Sequence, residues 1–149
     1  MKTLKYLQSN HILQCANIFT EIYKAKPFNY EWISSKEVLR YFTDLYKTPN
    51  FMGFVLFQKD ILIGACFGIV SDYFKIKKYH ISEIFINKDF QGHGIGSMFL
   101  AQIEKNLFTK KIEVIELSTD RSKQAFSFYK KNGYIILKDN LNLIKSIIS

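Results

Sequence analysis

Residues Ile84 to Ser97 read Ile-Phe-Ile-Asn-Lys-Asp-Phe-Gln-Gly-His-Gly-Ile-Gly-Ser, and their types and spacing suit the capture of a phosphate. A β-rich run ends at Ile86, a turn holding Gly92, Gly94 and Gly96 follows, and a helical pattern opens at Gly94. Glycine lets backbone N–H groups approach a ligand closely and takes torsions that other residues resist. The start of a helix adds unpaired N–H donors and the positive end of its dipole. The chain has no G-x-x-x-x-G-K-S/T, so a lysine-bearing P-loop is excluded. A dinucleotide fingerprint is excluded too, since Phe99 stands where a small residue is needed and no parallel βαβ unit opens the chain.

The elements that must position this loop can be read from periodicity. Thr3–Leu7 is expected as a short first strand. Ser9 or Asn10 is expected to cap a helix through Ile12, Leu13, Ala16, Ile18, Phe19 and Ile22, which Pro27 stops. Ser34 followed by Glu37 is a capping-box pattern for a second helix through Val38, Leu39, Phe42 and Leu45. Phe51–Phe57 and Ile61–Val70 read as strands around a tight turn at Gln58, Lys59 and Asp60, and Tyr79–Ile86 as a third. Gly94–Phe108 is helical, Ile112–Leu117 a strand, and Ser122–Lys131 a helix stopped by Asn132 and Gly133. Tyr134–Leu137 and Leu141–Ile148 are expected as two closing strands. The order implies a mixed α/β (α+β) fold, a mostly antiparallel central sheet with helices on both faces, forming one domain over residues 1–149.

Composition narrows the class of protein. At 149 residues with 48% hydrophobic side chains, 14 Phe, 9 Tyr and 1 Trp, the chain can bury a core. The net charge of +8 invites a nucleic-acid reading, but the basic residues are dispersed. The densest run, Lys75, Lys77 and Lys78, is expected as a solvated loop. Surplus positive charge also speeds the encounter with a phosphate-rich ligand. Cys66 lies in an apolar run and Cys15 in a helical one, with no metal-ligand spacing, so no metal site and no oxidising compartment are called for. No signal peptide and no membrane-length apolar run is visible, and the cytoplasm is the expected location.

Placed in this context, the loop resembles the pyrophosphate loop of the GNAT superfamily of N-acetyltransferases, Q/R-x-x-G-x-G/A after a strand ending in a β-branched residue. Ile86 precedes it, and Gln91, Gly94 and Gly96 fill its fixed positions. A second family signature, A-x-x-x-Y-x-K-x-G-F, is met by Ala125, Tyr129, Lys131, Gly133 and, with tyrosine for the last phenylalanine, Tyr134. The resemblance covers nearly the whole chain, most strongly Tyr79 to Tyr134. One departure is Ser122, where family members often carry an asparagine that contacts the cofactor.

The resemblance implies acetyl-CoA as cofactor, CoA as product, and direct attack of an amine on the thioester. It implies that backbone amides of Gln91, Gly92, His93, Gly94, Ile95, Gly96 and Ser97 hold the pyrophosphate. Phe85 and Ile86 would pair with the pantetheine arm, whose amides behave as an added strand. Ser122, Phe128 and Lys131 complete the expected cofactor contacts. Tyr129 matches the family tyrosine beside the sulfur, the proton donor to the leaving thiolate, or it is a core aromatic.

Glu83, a lone acid among Ile and Phe, accepts the amine's proton through water, attracts a cationic substrate, or makes a structural hydrogen bond. Alternation puts it on the face of Phe85 and opposite Ile84 and Ile86. His80 is an alternative base or a strand-edge histidine. Phe28, Tyr30 and Trp32 would line the acceptor pocket, with Tyr46, Glu31, Glu37 and Asp44 nearby, or serve interhelix packing. This mix suits a small cationic, partly apolar amine, such as a polyamine-like, aminoglycoside-like or amino-acid-derived one. Neither nucleic acid nor membrane is expected as a partner, and a homodimer is compatible with the fold. The rival readings are a protein lysine or N-terminal acetyltransferase and a non-catalytic acyl-CoA-binding module.

Overall fold

Alternating apolar runs separated by tight turns build a β-meander at the centre of the chain. Lys59, with φ of 56°, makes the turn between β2 (Phe51–Gln58) and β3 (Ile61–Tyr73). Phe74, with φ of 59°, makes the turn between β3 and β4 (Ile76–Ile86). β1 (Lys2–Tyr6) pairs with β2, and β5 (Val114–Glu116) closes the sheet in the order β1-β2-β3-β4-β5. The first three pairings are antiparallel and β4–β5 is parallel. The helices are α1 (Ile12–Lys24), α2 (Ser35–Tyr46), α3 (Ile95–Thr109) and α4 (Lys123–Lys131). This computed structural model describes residues 1–121 and 123–148, and falls into two compact units, 1–117 and 118–149.

In the first unit, α1 and α2 cover one face of the sheet. Cys15, Ala16 and Ile22 of α1 and Val38 and Phe42 of α2 share a buried cluster with Val55, Leu62, Ala65, Phe67 and Phe85. The opposite face carries Phe54, Leu56, Cys66 and Tyr79 and meets the buried Phe99, Leu100, Ile103 and Leu107 of α3. The expected mixed sheet with helices on both faces is what the structure has. Both cysteines are free and fully buried, and burial pushes each thiol up to about 12, so they stay neutral packing groups.

The Ser34 cap forms as expected, its hydroxyl accepting from Glu37 N–H at 3.2 Å. The first helix is capped differently from expectation. Ser9–His11 is a 3-10 turn bracketed by Gln8, whose N–H donates to His11 Nδ1 at 2.9 Å. The basic run is also corrected, because Lys77 and Lys78 lie inside β4, opposite Asp72 and Ser71. The two-residue turn at Phe74 and Lys75 leaves no room for a loop there.

A β-bulge shapes the functional end of β4. Phe67 lies opposite Glu83 while Gly68 lies opposite Ile81, leaving Ser82 as the extra residue. Directly opposed residues share a face. Tyr79 and Ile81 therefore face α3, whereas Glu83 and Phe85, of the same parity, face α1 and α2.

The second unit, residues 118–149, contains α4, which ends at Gly133 with φ of 91°, the expected left-handed stop. The two closing strands are not there, since residues 134–148 carry no ladder among the described residues. β-rich composition specifies a pleated, half-buried surface only when a neighbouring strand supplies one. Leu141, Leu143, Ile144 and Ile147 are instead solvent-exposed.

Candidate active site

Local chemistry shapes the loop between β4 and α3. Asn87 Oδ1 accepts from Asp89 N–H at 3.0 Å and folds Lys88–Phe90 into one 3-10 turn. Gln91 then reaches back, its Nε2 donating to the Ile86 carbonyl at 2.9 Å, which ties the loop to the strand end. Gly92 and Gly94 follow with φ of 83° and 75°. An added Cβ at either would meet nothing within 4 Å, so torsion rather than crowding demands glycine there. Gly94 is the N-cap of α3 and offers no side chain to the helix start. The helical ladder begins with Met98 N–H donating to Gly94 O at 3.2 Å. Gln91, Gly92, His93 and Gly94 are exposed, Ile95 is buried, and Gly96 and Ser97 are half-buried in the first turn.

Beside this loop the sheet is open. The β4–β5 pairing ends at His80 opposite Glu116, while β4 continues to Ile86. Among the described residues, the parallel partner therefore leaves the last residues of β4, including Phe85 and Ile86, without a strand on that side. Main-chain groups of such an edge suit an extended ligand that carries its own amides. The residues fit the cofactor that the loop motif implies: a glycine-lined helix start for a diphosphate and a bare strand edge for an amide-bearing arm.

Glu83 sits on the α1/α2 face, as alternation with Phe85 requires. Its Oε2 accepts from the Tyr41 hydroxyl at 2.8 Å. Burial raises the carboxyl above the usual range, and the Tyr41 hydrogen bond pulls it partly back. The folded protein thus holds this proton more tightly than the unfolded chain. The resulting stability is fully present below the ordinary carboxylate range and lost as pH rises through the native titration of Glu83. Glu83→Gln is expected to flatten that part of the stability curve, measured by urea titrations between pH 4 and pH 8; an unchanged slope removes the assignment.

A run of rings leads from Glu83's neighbour Phe85 to the surface. Phe85 meets Phe19 at 5.3 Å, Phe19 meets Tyr23 at 4.5 Å, Tyr23 stacks on Tyr30 at 5.9 Å, and Tyr30 stacks on Trp32 at 5.3 Å. Phe28 packs on Tyr23 at 4.5 Å. The predicted trio Phe28, Tyr30 and Trp32 is thus one cluster, with Trp32 73% exposed.

His80, also on the α1/α2 face, has Nδ1 3.8 Å from Glu116, which Lys78 approaches equally closely. In the second unit, Phe128 and Tyr129 are half-buried with rings 5.1 Å apart, Tyr134 stands 5.6 Å from Tyr129, and Lys131 is exposed. Ser122 lies outside the described residues.

Sequence reasoning missed Tyr41 and the bridging rings Phe19 and Tyr23. Tyr41 reads as an ordinary tyrosine of an amphipathic helix, and only its partner 42 residues downstream gives it meaning.

A mixed sheet that parts beside a glycine-lined helix start is the architecture of the GNAT-type N-acyltransferase class. Residues 17–142 match the acetyltransferase (GNAT) domain, and the chain belongs to that family. A possible acetyltransferase from Clostridium difficile 630 shares the fold with a TM-score of 0.80 at 12% identity, covering 99% of each chain. An aminoglycoside acetyltransferase from an uncultured soil metagenomic sample, solved in complex with sisomicin, shares it with a TM-score of 0.70 at 16% identity, covering 99% of this chain and 95% of that one. The uncharacterized N-acetyltransferase ycf52 of Gracilaria tenuistipitata var. liui is 41% identical over 61 residues, 41% of this chain. That match spans about a third, 32%, of the relative's own length.

Proposed function

We propose that residues 1–149 act as one N-acetyltransferase domain that moves the acetyl group of acetyl-CoA to a small primary amine. The observation that carries this reading is the loop: Gly92 and Gly94 held at positive φ, Gln91 tied back to Ile86, and a helix start without a side-chain cap. Acetyl-CoA, when bound, supplies the activated acyl group as a thioester. The amides from Gln91 to Ser97 grip its diphosphate, and the β4 edge at Phe85 and Ile86 aligns its arm. Ser122, Phe128 and Lys131 complete the cofactor contacts. Binding both reactants in line removes much of the entropic barrier, an effect worth up to about 7–11 kcal/mol.

Glu83 takes the proton that the attacking amine must lose, directly or through water. Tyr129 donates the proton that the departing thiolate gains. Phe28, Tyr30 and Trp32 receive the acceptor, whose cationic form the rings and Glu83 attract. The likeness to an aminoglycoside acetyltransferase supports a small-molecule acceptor over a protein one.

The test is a screen of primary amines, sisomicin and spermidine among them, with acetyl-CoA and thiol detection of released CoA. Release that depends on the amine supports the reading; cofactor binding without release in any arm favours a non-catalytic module.

Gly94→Ala checks the loop itself. Forcing a side chain into φ of 75° costs about 1–2 kcal/mol, because a left-handed Cβ crowds the following carbonyl. CoA affinity by calorimetry is expected to fall about tenfold, with the melting temperature lowered by about 3–6 °C and the protein still folded at the assay temperature. Unaltered affinity removes the loop from the cofactor site.

A further inference from the structure

We propose that Tyr41 is a positioning residue for the acetyl-transfer site, holding the Glu83 carboxyl toward the acceptor amine. The inference rests on the reading of Glu83 as the group that meets that amine. Its ground is a convergence of features far apart in the chain. The bulge at Ser82 turns Glu83 onto the face that α2 covers, and a bulge beside a site commonly re-aims a side chain. From α2, Tyr41 meets it with a 2.8 Å hydrogen bond to Oε2. With Oε2 committed to the phenol, Oε1 is the oxygen left to take a proton.

Tyr41 is placed to do this and little else. Its ring packs against Phe42 at 5.5 Å, yet 42% of the residue is exposed, so its phenol is not needed to fill the core. Burial and the neighbouring Glu83 push its own ionisation well above the ordinary range, so it stays a neutral donor at any working pH. A donor to a carboxylate favours the charged form, which opposes the burial of Glu83. Tyr41 therefore decides how readily Glu83 exists as the anion that a base must be. The other titratable groups on this face include Lys5 on β1, Cys15 and Tyr23 on α1, Tyr46 on α2, Lys78 and His80 on β4, and Glu116 on β5, with Glu37 one turn before Tyr41.

The experiment uses full-length protein labelled with carboxyl-13C glutamate, with Glu83→Gln assigning the Glu83 resonance. In Tyr41→Phe, which keeps the ring against Phe42, the Glu83 midpoint is expected to rise by about one pH unit. Amine-dependent CoA release, with sisomicin or spermidine as the probe acceptor, is expected to move its low-pH limb upward by the same amount with CoA affinity intact. A midpoint unchanged in Tyr41→Phe, with the melting temperature retained, overturns the proposal. A shifted midpoint together with full release by Glu83→Gln leaves the Tyr41 contact standing and overturns instead the acceptor-side reading of Glu83.

Discussion

Tyr129→Phe is expected to lower CoA release about 100-fold while leaving CoA affinity within about twofold, the result of removing a general acid. The amine nitrogen forms its bond to the acetyl carbon as the carbon–sulfur bond breaks. The electron pair leaves on sulfur, and a proton placed there prevents collapse back to the thioester. A phenol, with an ordinary pKa near 10, is fully protonated at neutral pH and can supply that proton. A carboxyl in the same role would mostly have lost its own.

The substitution leaves the described ring and backbone contacts of Tyr129 in place. The ring meets Phe128 at 5.1 Å and Tyr134 at 5.6 Å, and the Tyr129 carbonyl accepts from Asn132 N–H at 3.1 Å and Tyr134 N–H at 3.0 Å. Phenylalanine keeps all of these. Steady-state release and calorimetry on the same preparations separate the outcomes. A turnover loss with normal affinity supports the acid; equal turnover removes it; a loss of both places Tyr129 in cofactor binding.

What could be read from the chain follows the range of the interactions involved. The β4-to-α3 loop was legible because Gln91, Gly92 and Gly94 act within a few residues of themselves. The Ser34 cap and the turn at Lys59 were legible for the same reason. The face of Glu83 relative to Phe85 followed from alternation, since no bulge lies between them.

Alternation across Ser82 fails, because one extra residue inverts the faces on either side of it. That is why His80 and Glu83, of opposite parity, share a face that simple counting denies them. The Tyr41–Glu83 bond was hidden because it depends on how α2 docks on the sheet. The closing strands were read from composition alone, whereas a strand exists only with a ladder partner.

Gly68→Ala is expected to destabilise the fold by about 3 kcal/mol, lowering the melting temperature by about 10 °C. The cause is the side chain that crosses it. Tyr79 of β4 lies on the same sheet face as Gly68 of β3 and is fully buried. Its hydroxyl donates to Met52 O at 2.6 Å, and Met52 is the β2 residue directly opposite Gly68. The ring thus runs from β4 over β3 to β2, and only a residue without a side chain lets it pass. An added Cβ would lie 2.6 Å from Tyr79 Cε1 and closer still to Cζ and the hydroxyl oxygen.

Neither partner can yield cheaply. The ring is anchored by its hydrogen bond and by Phe54, whose centroid is 6.0 Å away, while Cys66 Sγ lies 3.6 Å from the hydroxyl. Moving it leaves a buried polar group unpaired, which costs about 1–3 kcal/mol.

Gly64→Ala on the same strand is the control. Its nearest obstacle is Ile86 Cδ1, 2.9 Å from an added Cβ and the far end of a flexible side chain. Rotation there should hold the loss to about 1 kcal/mol. Calorimetry on both variants decides: equal losses would mean that the close packing of Tyr79 over Gly68 contributes nothing particular to stability.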